Sequence, residues 1–230
     1  MIDMPSPNFD DRNGKNVSII LLHYTGMKTK EEALERLCDQ ASKVSAHYTI
    51  DEEGMVYYHV DEEKRAWHAG QSFWQGEEDI NSLSIGIEVV NPGHEFGYQE
   101  FPAEQIKSLE KLCLDIQERY EIEFVLAHSD VAPDRKEDPG ELFPWQELAK
   151  KGIGVWPSVS DEDFVKSAGI DVGLALKDLG YQASTQAAMI IAFQRHFVPE
   201  AFQRGEEGQA CSLTKARLYA LLAGHLLSTE

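Results

Sequence analysis

The chain has 230 residues, 42% of them hydrophobic, and its 21 Lys and Arg against 40 Asp and Glu give a formal charge of −19. This length suffices for one large domain, or for a core domain with a small one beside it. The negative charge repels phosphate backbones and anionic lipid, which argues against nucleic acid and membrane surfaces as partners. No apolar run approaches the roughly 18 residues that a membrane span needs.

The cysteines and the N-terminus bear on the cellular compartment. Cys38, Cys113 and Cys211 are odd in number, far apart and in no CxxC pair, which favours free thiols and a reducing compartment. Cys113 falls among apolar residues, where a buried thiol is expected. The first residues show neither the basic nor the apolar region of a secretion signal. A cytoplasmic location is therefore favoured, with the periplasm as the alternative if a leader has been omitted.

The first two thirds of the chain predict alternating strands and helices. In chain order these are a buried strand at 17–22, a helix begun by the capping pair Thr29 and Glu32, a hairpin at 46–60, a strand at 83–90, a helix at 103–120, a strand at 122–127 and a short helix after Pro144. Between the hairpin and the strand at 83–90 lies a long aromatic-rich connection, 61–82, of a length that is usually functional.

The pattern of the sequence changes near residue 153. Residues 153–160 look like a linker, and beyond them helical patterns cover 172–179, 185–197 and 213–227. We therefore predict a domain at 1–152, a linker at 153–160 and a small three-helix domain at 161–230. The core expected for that domain is Leu174, Leu176, Leu179, Ile190, Phe193, Leu218, Leu221 and Leu222.

Two histidines stand at the ends of predicted strands. His23 follows one apolar run, and His128 follows another with Asp130, Asp134 and Asp138 close behind. Two imidazoles, one carboxylate and an open fourth position would make a hydrolytic zinc site. Alternatively, the two histidines are structural and the three aspartates lie in a charged surface loop. Spacing does not choose among the three aspartates.

Glu88 indicates a functional site more specifically than the two histidines do. Alternation along 83–90 puts apolar residues on one face and Ser84, Gly86 and Glu88 on the other. A carboxylate in such a strand costs desolvation unless it is paired or lines a cleft. Glu88 is therefore either a general base or an exposed residue of an edge strand.

Three further side chains have two interpretations each. Lys136 would point to the same side as Asp138 in an extended segment, where its ammonium could stabilise an oxyanion; the alternative is a solvated lysine. Trp67 and His68 either contact a ligand at the rim of a site or fix the loop that carries them.

Five ordered motifs resemble one family, the type-2 zinc-dependent N-acetylmuramoyl-L-alanine amidases, which are AmpD/AmiD-like and related to the peptidoglycan recognition proteins. They are LLHYT at 21–25, SAHY at 45–48, AWHAG at 66–70, SIGIE at 84–88 and AHSDVAPDRKEDPG at 127–140. The resemblance covers about residues 17–145.

The resemblance implies an α/β fold with a mixed central sheet flanked by helices. It implies zinc held by His23, His128 and Asp138, with Glu88 as the catalytic glutamate and Lys136 near the scissile carbonyl. Trp67 and His68 match a rim segment that contacts the muropeptide. The implied reaction is hydrolysis of the amide between N-acetylmuramic acid, or its 1,6-anhydro form, and L-alanine of the stem peptide, in bacterial cell-wall turnover or recycling.

The C-terminal AFQRHFVP at 192–199 resembles the helical peptidoglycan-binding module of some AmiD-like enzymes. From this we predict that deleting residues from 161 onward weakens binding to sacculi and spares cleavage of small muropeptides. A non-catalytic peptidoglycan sensor is the alternative function. Such proteins lose a metal ligand, whereas here the ligand positions and Glu88 are all filled.

Two departures from the family's pattern bear on mechanism and location. Some relatives carry a tyrosine just before the position of His47; the residue here is Ala46, which suits the amidases that use the glutamate instead. AmiD-like members are often secreted lipoproteins, whereas this sequence shows no leader or lipidation cysteine.

Overall fold

A six-stranded mixed sheet with helices on both faces forms the centre of the protein, as predicted. The computed structural model describes residues 1–227, and side chains up to residue 224. The strands are β1 Ile2–Asp3, β2 Phe9–Asp11, β3 Ile19–Tyr24, β4 Tyr48–Ile50, β5 Val56–Tyr58, β6 Lys64–Ala66, β7 Ser84–Val89 and β8 Phe124–Ala127.

Helices lie between these strands and after the last of them. They are α1 Lys30–Cys38, α2 Ile80–Leu83, α3 Gly93–Phe96, α4 Ala103–Arg119, α5 His128–Val131, α6 Trp145–Ala149, α7 Asp161–Lys166, α8 Val172–Leu179, α9 Gln186–Phe197, α10 Glu200–Arg204 and α11 Ser212–Leu227. Thr29 caps α1 by accepting a hydrogen bond from the Glu32 backbone, as its spacing predicts. Thr185 caps α9 in the same way.

The strand order β1-β5-β4-β7-β3-β8 brings the predicted site residues to one edge of the sheet. Strands β4, β7, β3 and β8 are mutually parallel, so their carboxyl ends lie together. His23 near the end of β3 pairs in register with Glu88 of β7, and His128 directly follows β8. Open α/β sheets place their binding sites at this edge.

Each face of the sheet has its own apolar cluster. On one face Ile20 and Ile87 pack with α4 and with the segment around Trp145. On the other face Ile19 and Leu21 pack with Trp74 and with side chains of α8, α9 and α11. The C-terminal helices therefore cover one face of the central sheet. The division into domains at 1–152 and 161–230 stays a prediction, and its end lies outside the described residues.

Several predicted elements differ from the observed ones. The first predicted strand, at 17–22, corresponds to β3, which begins at Ile19 and runs through His23 to Tyr24, because parallel pairing with β7 continues to that point. The connection 61–82 contains β6, which pairs with β2, and α2. Leu83 was wrongly placed in the strand: it ends α2 and packs against the cluster on the opposite face from Ile85.

The three predicted C-terminal helices are present, accompanied by the short α7 and α10. Leu174 was wrongly assigned to the core, since it is 59% exposed. Val172, Ala175, Leu176 and Leu179 occupy the buried face of α8, and Leu174 lies on the other side. None of the helices within residues 1–227 is both long and apolar enough to span a membrane. All three cysteines are free, and Cys113 is buried.

Candidate metal centre and active site

His23, His128 and Asp138 converge at the carboxyl edge of the sheet. Nδ1 of His23 lies 2.9 Å from Nδ1 of His128, and each lies 3.0 Å from Oδ2 of Asp138. All three residues are buried. The structure thus brings Asp138 to the two histidines, whereas Asp130 and Asp134 bond to other partners.

The proton on His128 faces away from this cluster. Its Nε2 lies 2.9 Å from the carbonyl oxygen of Ala69, which only accepts hydrogen bonds. Nε2 therefore carries a hydrogen. In the neutral form of the ring the lone pair is on Nδ1, which points at His23 and Asp138.

A chain of hydrogen bonds assigns the proton of His23 in the same way. The Ser84 hydroxyl donates to the carbonyl of Ile80 at 2.6 Å, so its oxygen accepts from Nε2 of His68 at 3.3 Å. Nδ1 of His68 then accepts from Nε2 of His23 at 3.1 Å. Burial lowers the pKa of His68 well below its usual value and, with the neighbouring His128, that of His23 to about 4, so both rings are neutral. Nδ1 of His23 thus also presents a lone pair.

Two imidazole nitrogens and a carboxylate oxygen therefore converge within 3.0 Å of one another. Burial opposes the ionisation of Asp138, yet His128 and His23 hold its pKa below the usual value, so this carboxyl is ionised. A metal ion bound at such a cluster displaces any proton that the ligand atoms share. Two histidines and one aspartate, with a free direction toward a cavity, are a typical donor set for catalytic zinc.

Glu88 lies beside this cluster and lines the same cavity, which has a volume of about 340 Å³. Within the described part of the chain its buried Oε2 has no hydrogen-bond partner. Burial and the nearby Asp138 raise its pKa well above the usual value, and Lys136 partly opposes this. A half-buried carboxyl with an unpaired oxygen and a raised pKa is suited to exchange protons with a substrate.

The other predicted site residues also line this cavity. Lys136 is half-buried and, among the described residues, forms no ion pair, so its ammonium is free to meet a ligand. Trp67 is at the rim, where its Nε1 donates to Asp10. His68 lies behind His23, and a Cβ at Gly86 would come within 2.5 Å of its ring, which explains why the strand carries glycine there.

Sequence reasoning missed the residues that support the loop of Asp138. His94, for which no sequence pattern predicts a role, lines the cavity and bonds to the Tyr24 hydroxyl and the Glu141 carboxylate. Tyr98 stacks on His94 and donates to the carbonyl of Pro139. Apart from the stacking of Tyr98 on His94, these contacts join residues more than 40 positions apart, so no local pattern reveals them.

Replacing Ser84 by alanine is expected to weaken zinc binding about tenfold, which is typical for partners of metal ligands. Without the hydroxyl, His68 loses the acceptor that fixes its tautomer, and a proton can move to the site-facing nitrogen of His23. Competition with a chromophoric chelator measures the change. Ser129→Ala is the matched control, because the Ser129 hydroxyl is buried without a partner in the described residues. Equal zinc affinities for the two variants would contradict the role of Ser84 in fixing the proton positions on His68 and His23.

Comparisons with known proteins agree with this geometry. The family described as N-acetylmuramoyl-L-alanine amidase matches residues 13–141. The chain is 36% identical to the N-acetylmuramoyl-L-alanine amidase AmiD of Escherichia coli, covering 90% of this chain and 82% of that protein. It is 31% identical to the 1,6-anhydro-N-acetylmuramyl-L-alanine amidase AmpD of Haemophilus influenzae, covering 61% of this chain and 86% of the relative.

A solved structure extends the similarity to the whole fold. The complex of E. coli AmiD with anhydro-N-acetylmuramic acid-L-Ala-D-gamma-Glu-L-Lys superposes with a TM-score of 0.79 at 32% identity, covering 95% of this chain and 98% of that one. Family match, identity and fold agree. The chain belongs to the N-acetylmuramoyl-L-alanine amidase family.

Proposed function

We propose that the chain hydrolyses the amide between N-acetylmuramic acid, or its 1,6-anhydro form, and L-alanine of the stem peptide, at a zinc ion held by His23, His128 and Asp138. The observation that carries the proposal is the convergence of two ring nitrogens and a carboxylate oxygen beside the unpaired carboxyl of Glu88. Zinc bound there supplies a Lewis acid that polarises the carbonyl and makes water a nucleophile at neutral pH.

Glu88 is the proton carrier in this proposal. It takes a proton from the attacking water as the new C–O bond forms, and it returns that proton to the amide nitrogen as the C–N bond breaks. The products are the lactyl carboxylic acid of the sugar, which releases its proton at neutral pH, and a stem peptide with a free L-alanine amine. Lys136 reaches the same cavity as a cation without an ion-pair partner among the described residues, which suits it to stabilise the oxyanion.

Trp67 and His68 are proposed to contact the muropeptide at the cavity wall. The Trp67 indole lies at the rim with its nitrogen held by Asp10. Both nitrogens of His68 are already bonded to His23 and Ser84, so only its ring carbons are left for a substrate. We therefore expect Trp67 to contribute more to substrate binding.

The relatives support this substrate class. AmpD of H. influenzae is named for the anhydro-muramyl amide, and AmiD of E. coli was solved with an anhydro-muramyl tripeptide. A sensor that only binds peptidoglycan is disfavoured, because it would not need the buried, unpaired carboxyl of Glu88 as a proton carrier.

The proposal is tested by incubating the full chain with anhydro-N-acetylmuramyl-tripeptide and identifying the products by mass spectrometry. We expect free tripeptide and free anhydro-N-acetylmuramic acid, no release after treatment with a chelator, and recovery when zinc is added. Binding of the muropeptide without release in the presence of zinc would instead indicate a sensor.

A further inference from the structure

Asp130, two residues after His128, is a fully buried carboxylate with three hydrogen bonds. Its Oδ2 accepts from the backbone N–H of Ala127 at 2.8 Å, which fixes the junction between β8 and α5. The other two donors come from the C-terminal helices. Asp130 thus links the turn that begins with His128 to a distant part of the chain.

Tyr181 and His196 supply these donors. The Tyr181 hydroxyl, just after α8, donates to Oδ1 of Asp130 at 2.6 Å. Nδ1 of His196 on α9 donates to Oδ2, also at 2.6 Å. Both residues are 1% exposed, and the His196 ring is stacked between Trp145 and Phe197 at centroid distances of 3.8 Å. Both donors are therefore held in place by packing.

The residue next to His196 reaches the other end of the same loop. Arg195 pairs with Glu137 at 3.1 Å, and Glu137 immediately precedes Asp138. The Arg195 guanidinium also lies 3.7 Å from Glu141. Consecutive residues of α9 therefore contact both flanks of the segment that carries His128, Lys136 and Asp138.

We infer that the C-terminal helices brace the metal-ligand loop, with Tyr181, Arg195 and His196 as positioning residues for His128 and Asp138. The inference rests on the proposed function, because it concerns the same zinc site. It assigns to the C-terminal segment a part in catalysis, which is separate from any binding of peptidoglycan polymer.

The motif at 192–199 supports this assignment. Within the motif predicted to bind peptidoglycan, Phe193 and Gln194 are fully buried and Phe197 is 5% exposed. Phe193 and Phe197 join the apolar cluster on the sheet, and the Gln194 side chain bonds to backbone within the C-terminal segment. These residues point into the protein, where they support the position of His196 and leave little surface for a polymer.

The test uses the full chain with Tyr181→Phe, which keeps the ring, and His196→Leu, which removes the donor. We expect each variant to weaken zinc binding about tenfold in chelator competition and to lower kcat on a small muropeptide, with KM changed less than twofold. His196→Asn, whose amide nitrogen replaces Nδ1, should recover most of the loss. A variant that merely destabilises the fold would not be rescued in this way.

Leu218→Ala is the matched control, because Leu218 is buried in the same cluster and does not contact Asp130. It should lower the melting temperature while leaving zinc affinity unchanged. The inference would be overturned if Tyr181→Phe and His196→Leu both kept a zinc affinity and a kcat within twofold of the parent. The C-terminal helices would then not position the metal ligands. Absence of zinc binding or cleavage in the parent itself would instead overturn the proposed function, so the two failures are distinguishable.

Discussion

Replacing Glu88 by glutamine is expected to lower kcat by about 10²- to 10⁴-fold while leaving the zinc ligands intact. Glutamine keeps the shape of the side chain but carries no exchangeable carboxyl proton. Zinc content, measured by atomic absorption, should equal that of the parent. Muropeptide binding, measured by calorimetry, should persist.

The same substitution should stabilise the metal-free protein above the ordinary pKa of a glutamate. The pKa of Glu88 is raised in the folded state, chiefly by burial. Between the unfolded and folded pKa values the folded protein keeps a proton that the unfolded chain has released, so the free energy of unfolding falls as pH rises. Glutamine has no such dependence. In chelator we expect Glu88→Gln to gain about 1–3 kcal/mol over the parent at pH 8, and much less at pH 4.

Urea unfolding at the two pH values measures this gain. Glu121→Gln is a suitable control, because Glu121 is exposed and remote from the site and should change neither kcat nor the pH dependence. Full activity of Glu88→Gln would refute the proton-carrier role. Loss of activity without any pH-dependent gain in stability would refute the buried, unpaired state of the carboxyl.

A chain that ends at Ser160 is expected to lose its cooperative fold and its activity, even on small muropeptides. Ile19, Leu21 and Leu126 are almost fully buried in a cluster formed with α8, α9 and α11. Exposing a buried side chain of this size costs about 1.5–3 kcal/mol, and a domain has only about 5–15 kcal/mol in total. Asp130 would also lose two of its three donors.

This reverses the expectation from sequence that truncation spares small substrates. Circular dichroism and thermal unfolding of the truncated chain, together with its rate on anhydro-N-acetylmuramyl-tripeptide, give the answer. A cooperative transition and an undiminished rate would show that the C-terminal helices are dispensable for both folding and catalysis.

Sequence reasoning located much of the site, because its residues stand where strands end. His23 and His128 follow apolar runs, and parallel strands bring such ends together. Spacing could not choose Asp138 over Asp130, since both follow the same strand; only the motif resemblance did. In the structure the choice follows from direction, as Asp138 faces the histidines while Asp130 faces Tyr181 and His196.

Two further features were not predictable from the sequence for a related reason. They are the hydrogen bonds from Ser84 through His68 to His23 and the contacts of the C-terminal helices with Asp130. Ser84 reads as a polar residue in a strand, and nothing local shows that it determines the proton position on His23 through His68. The contacts of Asp130 span 51 and 66 residues, and the helical pattern of 185–197 gives the same period whichever partner its buried face meets.

The most direct test is an anomalous difference map at the zinc edge from crystals of the full chain grown with zinc. We predict one strong peak bonded to Nδ1 of His23, Nδ1 of His128 and an oxygen of Asp138, at the 2.0–2.2 Å typical of such ligands, with the Glu88 carboxyl facing it across the cavity. A peak bonded through Nε2 of either histidine, or no peak at these residues, would contradict the assignment of the metal centre.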